Sequence, residues 1–432
     1  MSVPSQTTAT PLPFRWSAMG VVALSALLTL VAWNTNAPVM WQVLTHGSDP
    51  LGYYQYLPAV LLEGGWEHMK YVIYLENGNG LNLFTMGVAF LQAPFFLAAM
   101  AWCHVTGVSA TGYELPFVLA RMLATASYTA IGAVLLLNTL LRRVHWTSAL
   151  STILLVVFGT SLYFYSVHGG GMSHAYSFFL LAAIFHLCDR MLRQPGAMTL
   201  IALFLCMGLV VLIRPLHAVC GLFVLFFDSE GLGHALRTRI GWVRSFPKAM
   251  VLGVIGAFLI WLPQLLYWHS STGSWFVFTY GKKGEGFDWA HPHLLDTLFN
   301  LQNGWFIYTP LMAVVMAILL WQAWKAEGNA RLLMIIWALV WYVYSSWWCW
   351  WLGGAFGYRG FIEYYAFLAL PLALGIERSR QFSRPWIIIG LVTMTLLVRV
   401  NVRLSELYQY PWERPTWTWA KLGDTYRKAL LQ

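Results

Sequence analysis

Residues 83–102 read LFTMGVAFLQAPFFLAAMAW, and the assignment of this stretch decides the fold. It is apolar over a length that would cross a bilayer as a helix, and so is 116–141 after it. If both crossed, Arg142-Arg143 would face outward and every later basic loop would invert. Short cytoplasmic loops carry the excess of lysine and arginine, so that inversion is disfavoured. Pro94 and the polar Gln92 also fit a re-entrant or interfacial helix on the outer surface.

With 83–102 held outside, the rest alternates. The basic stretches are Arg142-Arg143, Arg190 with Arg193, Arg237 to Lys248, Lys325 with Arg331, and Arg378 to Arg384. Between them lie apolar runs at 149–166 and 174–189, 197–213 and 215–227, 249–268 and 305–324, and 332–350 and 360–376. A first span at 18–33 and a last at 386–402 complete an all-α polytopic membrane protein of about eleven transmembrane helices, with juxtamembrane helices on its outer face. Proline after the one small-residue site at Asn36-Ala37 argues that the first helix is uncleaved. No linker divides the chain, which reads as one membrane domain over 1–403 with a short outer-face tail over 404–432.

Composition agrees. Apolar residues make up 59% and charged residues 10% of 432, against roughly 25% charged in a soluble domain. The net charge of +9 sits in short loops and does not point to nucleic acid. The five cysteines show no CxxC or metal-ligand spacing and read as small core residues. Of seventeen carboxylates, Asp189, Asp228, Glu230, Glu327 and Glu377 fall on the cytoplasmic side. The other twelve, from Asp49 to Glu413 and Asp424 in the tail, fall outside, which places the expected site on the outer face.

The first outer loop carries Gly47-Ser48-Asp49-Pro50-Leu51-Gly52-Tyr53-Tyr54. A carboxylate among turn residues and tyrosines just beyond a span is the first candidate for chemistry at the bilayer surface; the competing role for Asp49 is a helix cap. Tyr53 and Tyr54 offer flat faces with polar edges, suited to sugars and headgroups and equally to interfacial anchoring. In the second outer loop His168 and His174 flank three glycines, and either is a candidate ligand or a structural histidine. Arg214-Pro215, with His217 following, breaks a hydrophobic stretch into two short half-spans, as a polar cavity would require, unless Arg214 snorkels to the interface. Further on, Tyr280 and Lys282 lie in a glycine-rich turn with Lys283, where a phosphate could be received. Trp351, Tyr358, Arg359 and Glu363 follow in the last outer loop. Arg359 is the best phosphate contact of the set, with a helical ion pair to Glu363 as the alternative. No P-loop, dinucleotide fingerprint, GxSxG or HExxH occurs, which leaves a membrane-embedded donor as the natural substrate.

These stretches, SDPLGYYQYLP, NLFTMGVAFLQAPFF, YSVHGGGMSHAYSFF, LIRP, TGSWFVFTYG, NGWFIYTPLM and WWLGGAFGYRGF, resemble the GT-C superfamily of integral membrane glycosyltransferases. The nearest likeness is to bacterial relatives of the dolichyl-phosphate-mannose and aminoarabinose transferases. The resemblance implies a GT-C-like fold and a polyprenyl-phosphate sugar donor. It also implies an inverting transfer to an envelope lipid or glycan on the outer side of the bacterial inner membrane, amid membrane lipids. Asp49 matches the first-loop acid that such enzymes use as base or acceptor-orienting group. The sequence departs from the pattern in lacking a second acid in the second outer loop, which leaves a divalent metal ion as an open question. It also has Asn82-Leu83-Phe84-Thr85 where the aminoarabinose branch has Lys-Pro-Pro. The rival class is a lipid-linked glycan transporter, which would use the same basic cavity without forming a bond.

Overall fold

Apolar runs can satisfy their own backbone inside a bilayer only as helices or closed barrels, and this chain is helical almost throughout. The computed structural model describes residues 12–45, 49–409, 412 and 415–431, so Gly47, Ser48 and Glu413 lie outside the described residues. Helix α1 (Phe14–Thr45) extends well past the expected 18–33 run. Two short helices follow, α2 (Asp49–Tyr54) and α3 (Tyr56–Leu61), then strands β1 (Ile73–Tyr74) and β2 (Gly80–Leu81), which pair antiparallel with Ile73 opposite Leu81. Next come α4 (Gly87–Thr106), α5 (Leu115–Leu140), α6 (Trp146–Phe158), α7 (Leu162–Val167), α8 (Ser173–Arg193), α9 (Ala197–Ile213) and α10 (Cys220–Phe226). Helix α11 (Leu232–Ser245) leads into α12 (Pro247–Thr272), and two short helices, α13 (Leu294–Phe299) and α14 (Trp305–Tyr308), precede α15 (Pro310–Trp324). The chain closes with α16 (Ala330–Ser345), α17 (Tyr365–Ser379), α18 (Arg384–Leu407) and α19 (Trp419–Leu431). Among the described residues, seven helices are long and apolar enough to cross a membrane, α4 among them although it was expected to stay at the surface, and five shorter apolar helices accompany them.

The expected 149–166 run is divided into α6 and α7 for a local reason. Thr160 Oγ1 donates to the Val156 carbonyl at 2.6 Å and accepts from Leu162 N–H at 3.2 Å, so one side chain ends the first helix and starts the next. At 214 the chain also turns as expected, because Pro215 cannot continue α9.

Contacts define the two ends of the bundle. At one end Asp189 accepts from Arg143 at 2.5 Å, Arg193 at 3.0 Å and Arg142 at 3.3 Å, and Asp228 from Arg143 at 2.7 Å. Glu327 meets Arg378 there, and Glu377 accepts from the backbone of His145. This is the end at which the expected cytoplasmic loops gather. Leu12 N–H and Ser17 join it through Asn138, at the far end of α5.

Helix α4 belongs to the other end. Its first turn touches α9 at Ile213, where Thr85 Oγ1 donates to the Ile213 carbonyl, and Met86 N–H donates to Gln264. Phe96 packs on Tyr54 and Phe117. The residues that follow α4 return to the first loop, with Tyr54 donating to the Gly112 carbonyl and Lys70 lying over Tyr113. The chain therefore enters and leaves α4 at the same end, and α5 carries it across, as the basic loops require. Two details differ from expectation. The helix runs unbroken through Pro94, and Gln92 is buried, donating to Tyr176 OH at 2.9 Å.

The described residues of the tail fold back on this end. Trp417 Nε1 donates to Tyr308 OH at 2.7 Å, and Tyr426 donates to the Ile307 carbonyl. Cys103, Cys188 and Cys220 are buried, Cys206 and Cys349 half-buried, and none of the five is in a disulfide.

Candidate active site

The site lies where α2, the turn before α8, the α9–α10 break and the segment before α17 converge. Its geometry begins with Gly52. A side chain there would meet the Phe84 ring at 2.1 Å, so only glycine lets α2 lie against this loop. Asn82 is a clamp. Its amide donates to the Gly52 carbonyl at 2.7 Å and accepts from Phe84 N–H at 3.1 Å, and its backbone N–H donates to Tyr267 OH at 2.7 Å.

This fixes Asp49 at the start of α2, where its Oδ2 sits 3.2 Å from Arg359 Nη2. Side-chain exposures of 34% for Asp49 and 21% for Arg359 leave both reachable from outside the protein. Behind them is a buried cluster around Glu363. Its Oε1 lies 3.1 Å from His174 Nδ1, 3.2 Å from Arg214 Nη1 and 3.8 Å from His217 Nε2. Arg214 also donates to Tyr344 OH at 2.9 Å, and His217 Nδ1 bonds Tyr364 OH at 3.0 Å. Arg214 thus faces a buried carboxylate rather than snorkelling. The alternative pairing of Arg359 with Glu363 is absent, since each has a different partner.

An aromatic row joins this centre to the lysine turn. Tyr53 packs on Phe84 at 4.7 Å and its hydroxyl donates to Ser173 Oγ at 3.3 Å. Phe84 meets Tyr280 edge-on, and Tyr280 meets Trp347. Lys282 is exposed beyond it. Its neighbour Lys283 is held by Glu285 at 2.8 Å, a hydrogen bond that pushes the ammonium pKa up. Trp351 is half-buried against Trp350, with its carbonyl accepting from Asn303 at 2.7 Å.

Three candidates are placed apart from the open part of the site. Tyr54 is packed inside and bonded to Gly112, and Tyr358 is buried against Phe361 and Tyr344. His168 stacks on Phe164, and burial pushes its pKa down to about 4. The structure adds residues that were not candidates: His217, Tyr344 and Arg121. Arg121 is fully buried over the Tyr54 ring, with Gly171 beside it. Its guanidinium nitrogens have no hydrogen-bond partner within the described protein. Gly171 takes a positive φ of 90° and a side chain there would reach 3.1 Å from the guanidinium.

The donor set does not fit a metal ion. Among the described residues no three His, Cys, Asp or Glu side chains are placed to hold one. His174, His217 and Glu363 do converge, but Arg214 stands between them, with Nη2 3.5 Å from His174 Nε2. A second cation in that space would be repelled.

Composition and fold together define a polytopic helical membrane protein. No known protein family matches the sequence, and no curated protein does. Among solved structures the chain is similar to ArnT from Cupriavidus metallidurans bound to undecaprenyl phosphate, with a TM-score of 0.52 and 15% identity over 91% of this chain. It spans 66% of the length of that ArnT chain. The apo state of the same ArnT gives a TM-score of 0.48 at 16% identity, covering 90% of this chain and 69% of that one.

Proposed function

We propose that the protein is a glycosyltransferase that moves a sugar from a polyprenyl-phosphate donor to an envelope lipid or glycan acceptor, with inversion, at the outer face of the bacterial inner membrane. The observation that carries this reading is Asp49 against Arg359, with Arg214 behind them, in a fold shared with a protein that binds undecaprenyl phosphate. Asp49 takes the proton from an acceptor hydroxyl. The acceptor oxygen bonds to the anomeric carbon while the bond from that carbon to the phosphate oxygen breaks, and the electron pair leaves on the phosphate. Help from such a base is worth about 10²–10⁴-fold. Arg359, with its planar fork, and Arg214 offset the charge that develops on the leaving phosphate. Tyr53 and Trp351 flank the sugar or acceptor, and Lys282 stands near the phosphate's approach.

The test is Asp49→Asn in purified protein given donor lipid and an acceptor extract from cells lacking the gene, with the products read by mass analysis. Loss of transfer with retained lipid binding is expected. Near-normal turnover would reduce Asp49 to an anchor. A transporter would move glycan across the bilayer without forming any new glycosidic bond in the same assay.

A further inference from the structure

We propose that α11 is an interfacial helix that seats the basic end of the bundle on anionic phospholipid headgroups. The helix reads LGHALRTRIGWVRS and carries no carboxylate. Two of its faces are unpartnered. Leu232, Leu236 and Ile240, four residues apart, form an apolar row that is 59%, 41% and 45% exposed. One residue further round, Arg237 and Arg244 form a basic row that Lys248 at the start of α12 continues, all three exposed.

The third face fixes the orientation of the other two. Ala235, Arg239 and Trp242 are buried. Arg239 Nε donates to the Val224 carbonyl at 2.9 Å and Nη2 to the Phe227 carbonyl at 2.6 Å, while its guanidinium lies 4.6 Å over the Trp242 ring. These are carbonyls at the end of α10, where a helix leaves acceptors unpaired. One buried arginine therefore pins α11 to the bundle and leaves its apolar and basic rows side by side on the outside.

That pairing of rows selects the partner. An apolar row in water has no compensation, and a wholly basic surface would need none. Rows of both kinds next to each other match a bilayer boundary, with side chains in the acyl region and arginines at phosphate level. The chain on either side agrees, because α10 precedes α11 and α12 follows it, and both are apolar helices. The local acids do not neutralise the row: Asp228 is taken by Arg143 and Asn329, and among the described residues Glu230 forms no ion pair with Arg237, Arg244 or Lys248. Anionic headgroups complete the charge.

The experiment uses the full protein in nanodiscs, either pure phosphatidylcholine or a mixture with phosphatidylglycerol, and reads thermal unfolding and the lipid retained on extraction. Wild type should prefer the anionic lipid by at least about tenfold in retention, and that preference should shrink at high salt. The variant R237Q/R244Q/K248Q changes only exposed side chains and should lose the preference while unfolding normally in phosphatidylcholine. A second variant, L236E/I240E, should unfold earlier in both lipids, because its apolar row no longer seats. An unchanged anionic preference in the triple variant, or none in wild type, overturns the proposal. Unaltered unfolding of L236E/I240E would remove the interfacial placement.

Discussion

Removing the charge of the proposed base should tighten binding of the donor lipid. In the structure Asp49 occupies the guanidinium that a phosphate would use, with Oδ2 3.2 Å from Arg359 Nη2. Asp49→Asn keeps the size of the side chain and frees the arginine from its counter-charge. At 3.2 Å the bare attraction is about 5 kcal/mol at an effective dielectric of 20. Most of that is offset by solvation, since Asp49 is about a third exposed, and exposed pairs measure roughly 0.2–1 kcal/mol. A net release of about 1 kcal/mol corresponds to roughly fivefold tighter binding.

The assay is titration of purified protein with polyprenyl phosphate, followed by intrinsic tryptophan fluorescence. Repulsion of the phosphate by Asp49 would also tighten binding in the variant, so the measurement is repeated in Arg359→Ala. Competition for the arginine makes the Asp49→Asn effect vanish in that background, whereas repulsion alone leaves it in place. Equal or weaker binding by Asp49→Asn would refute the competition, with the phosphate role of Arg359 still standing. No effect of Arg359→Ala on binding would instead remove Arg359 from the site.

Arg359→Lys should keep partial transfer and Arg359→Ala very little, in a turnover assay with donor lipid, because lysine keeps the charge but loses the paired geometry. Glu363→Ala should act differently, leaving Arg214 and two histidines without their carboxylate and costing about 3 kcal/mol of stability, read as an earlier unfolding transition. Single-cysteine labelling from outside, in a cysteine-free background, should mark position 289, which is exposed in the expected outer loop, strongly and position 143 not at all. The reverse would overturn the assignment of ends. His168, held near 4 by burial, refuses a proton that the unfolded chain accepts near 6.5, so stability should fall as pH drops from about 6.5 towards 4. His168→Gln should flatten that part of the profile in thermal unfolding scans across pH.

The span pattern was legible because its signals are local. Apolar runs and short basic loops are read one segment at a time, and parity then held 83–102 at one end. Asp49 and Arg359 stood out for the same kind of reason, each being a charge in surroundings that do not explain it. Their pairing was not legible, since the two are joined only by the fold. The wrong partner for Arg359 has a clear cause. Residues four apart lie on one face of an α-helix, but Arg359–Tyr364 is a 3₁₀ helix, whose 3.0 residues per turn swing Glu363 about a third of a turn away. Glu363 therefore points to His174, Arg214 and His217, which come from two other segments of the chain.

Arg121 had a signal of its own: a single arginine six residues into an apolar helix, where a charge is costly enough to need a reason. The structure gives it a place rather than a hydrogen-bond partner, over the Tyr54 ring and beside Gly171. With it the region holds three arginines, Arg121, Arg214 and Arg359, against two carboxylates, Asp49 and Glu363. His174 and His217 sit fully buried beside Glu363 and Arg214. Counted over the arginines and carboxylates alone, one positive charge is left over around Asp49. Protein groups of this density do not keep an unbalanced charge at no cost. A phosphodiester, which carries one negative charge, balances it, and it does so only when it arrives at the face that Asp49 and Arg359 leave open.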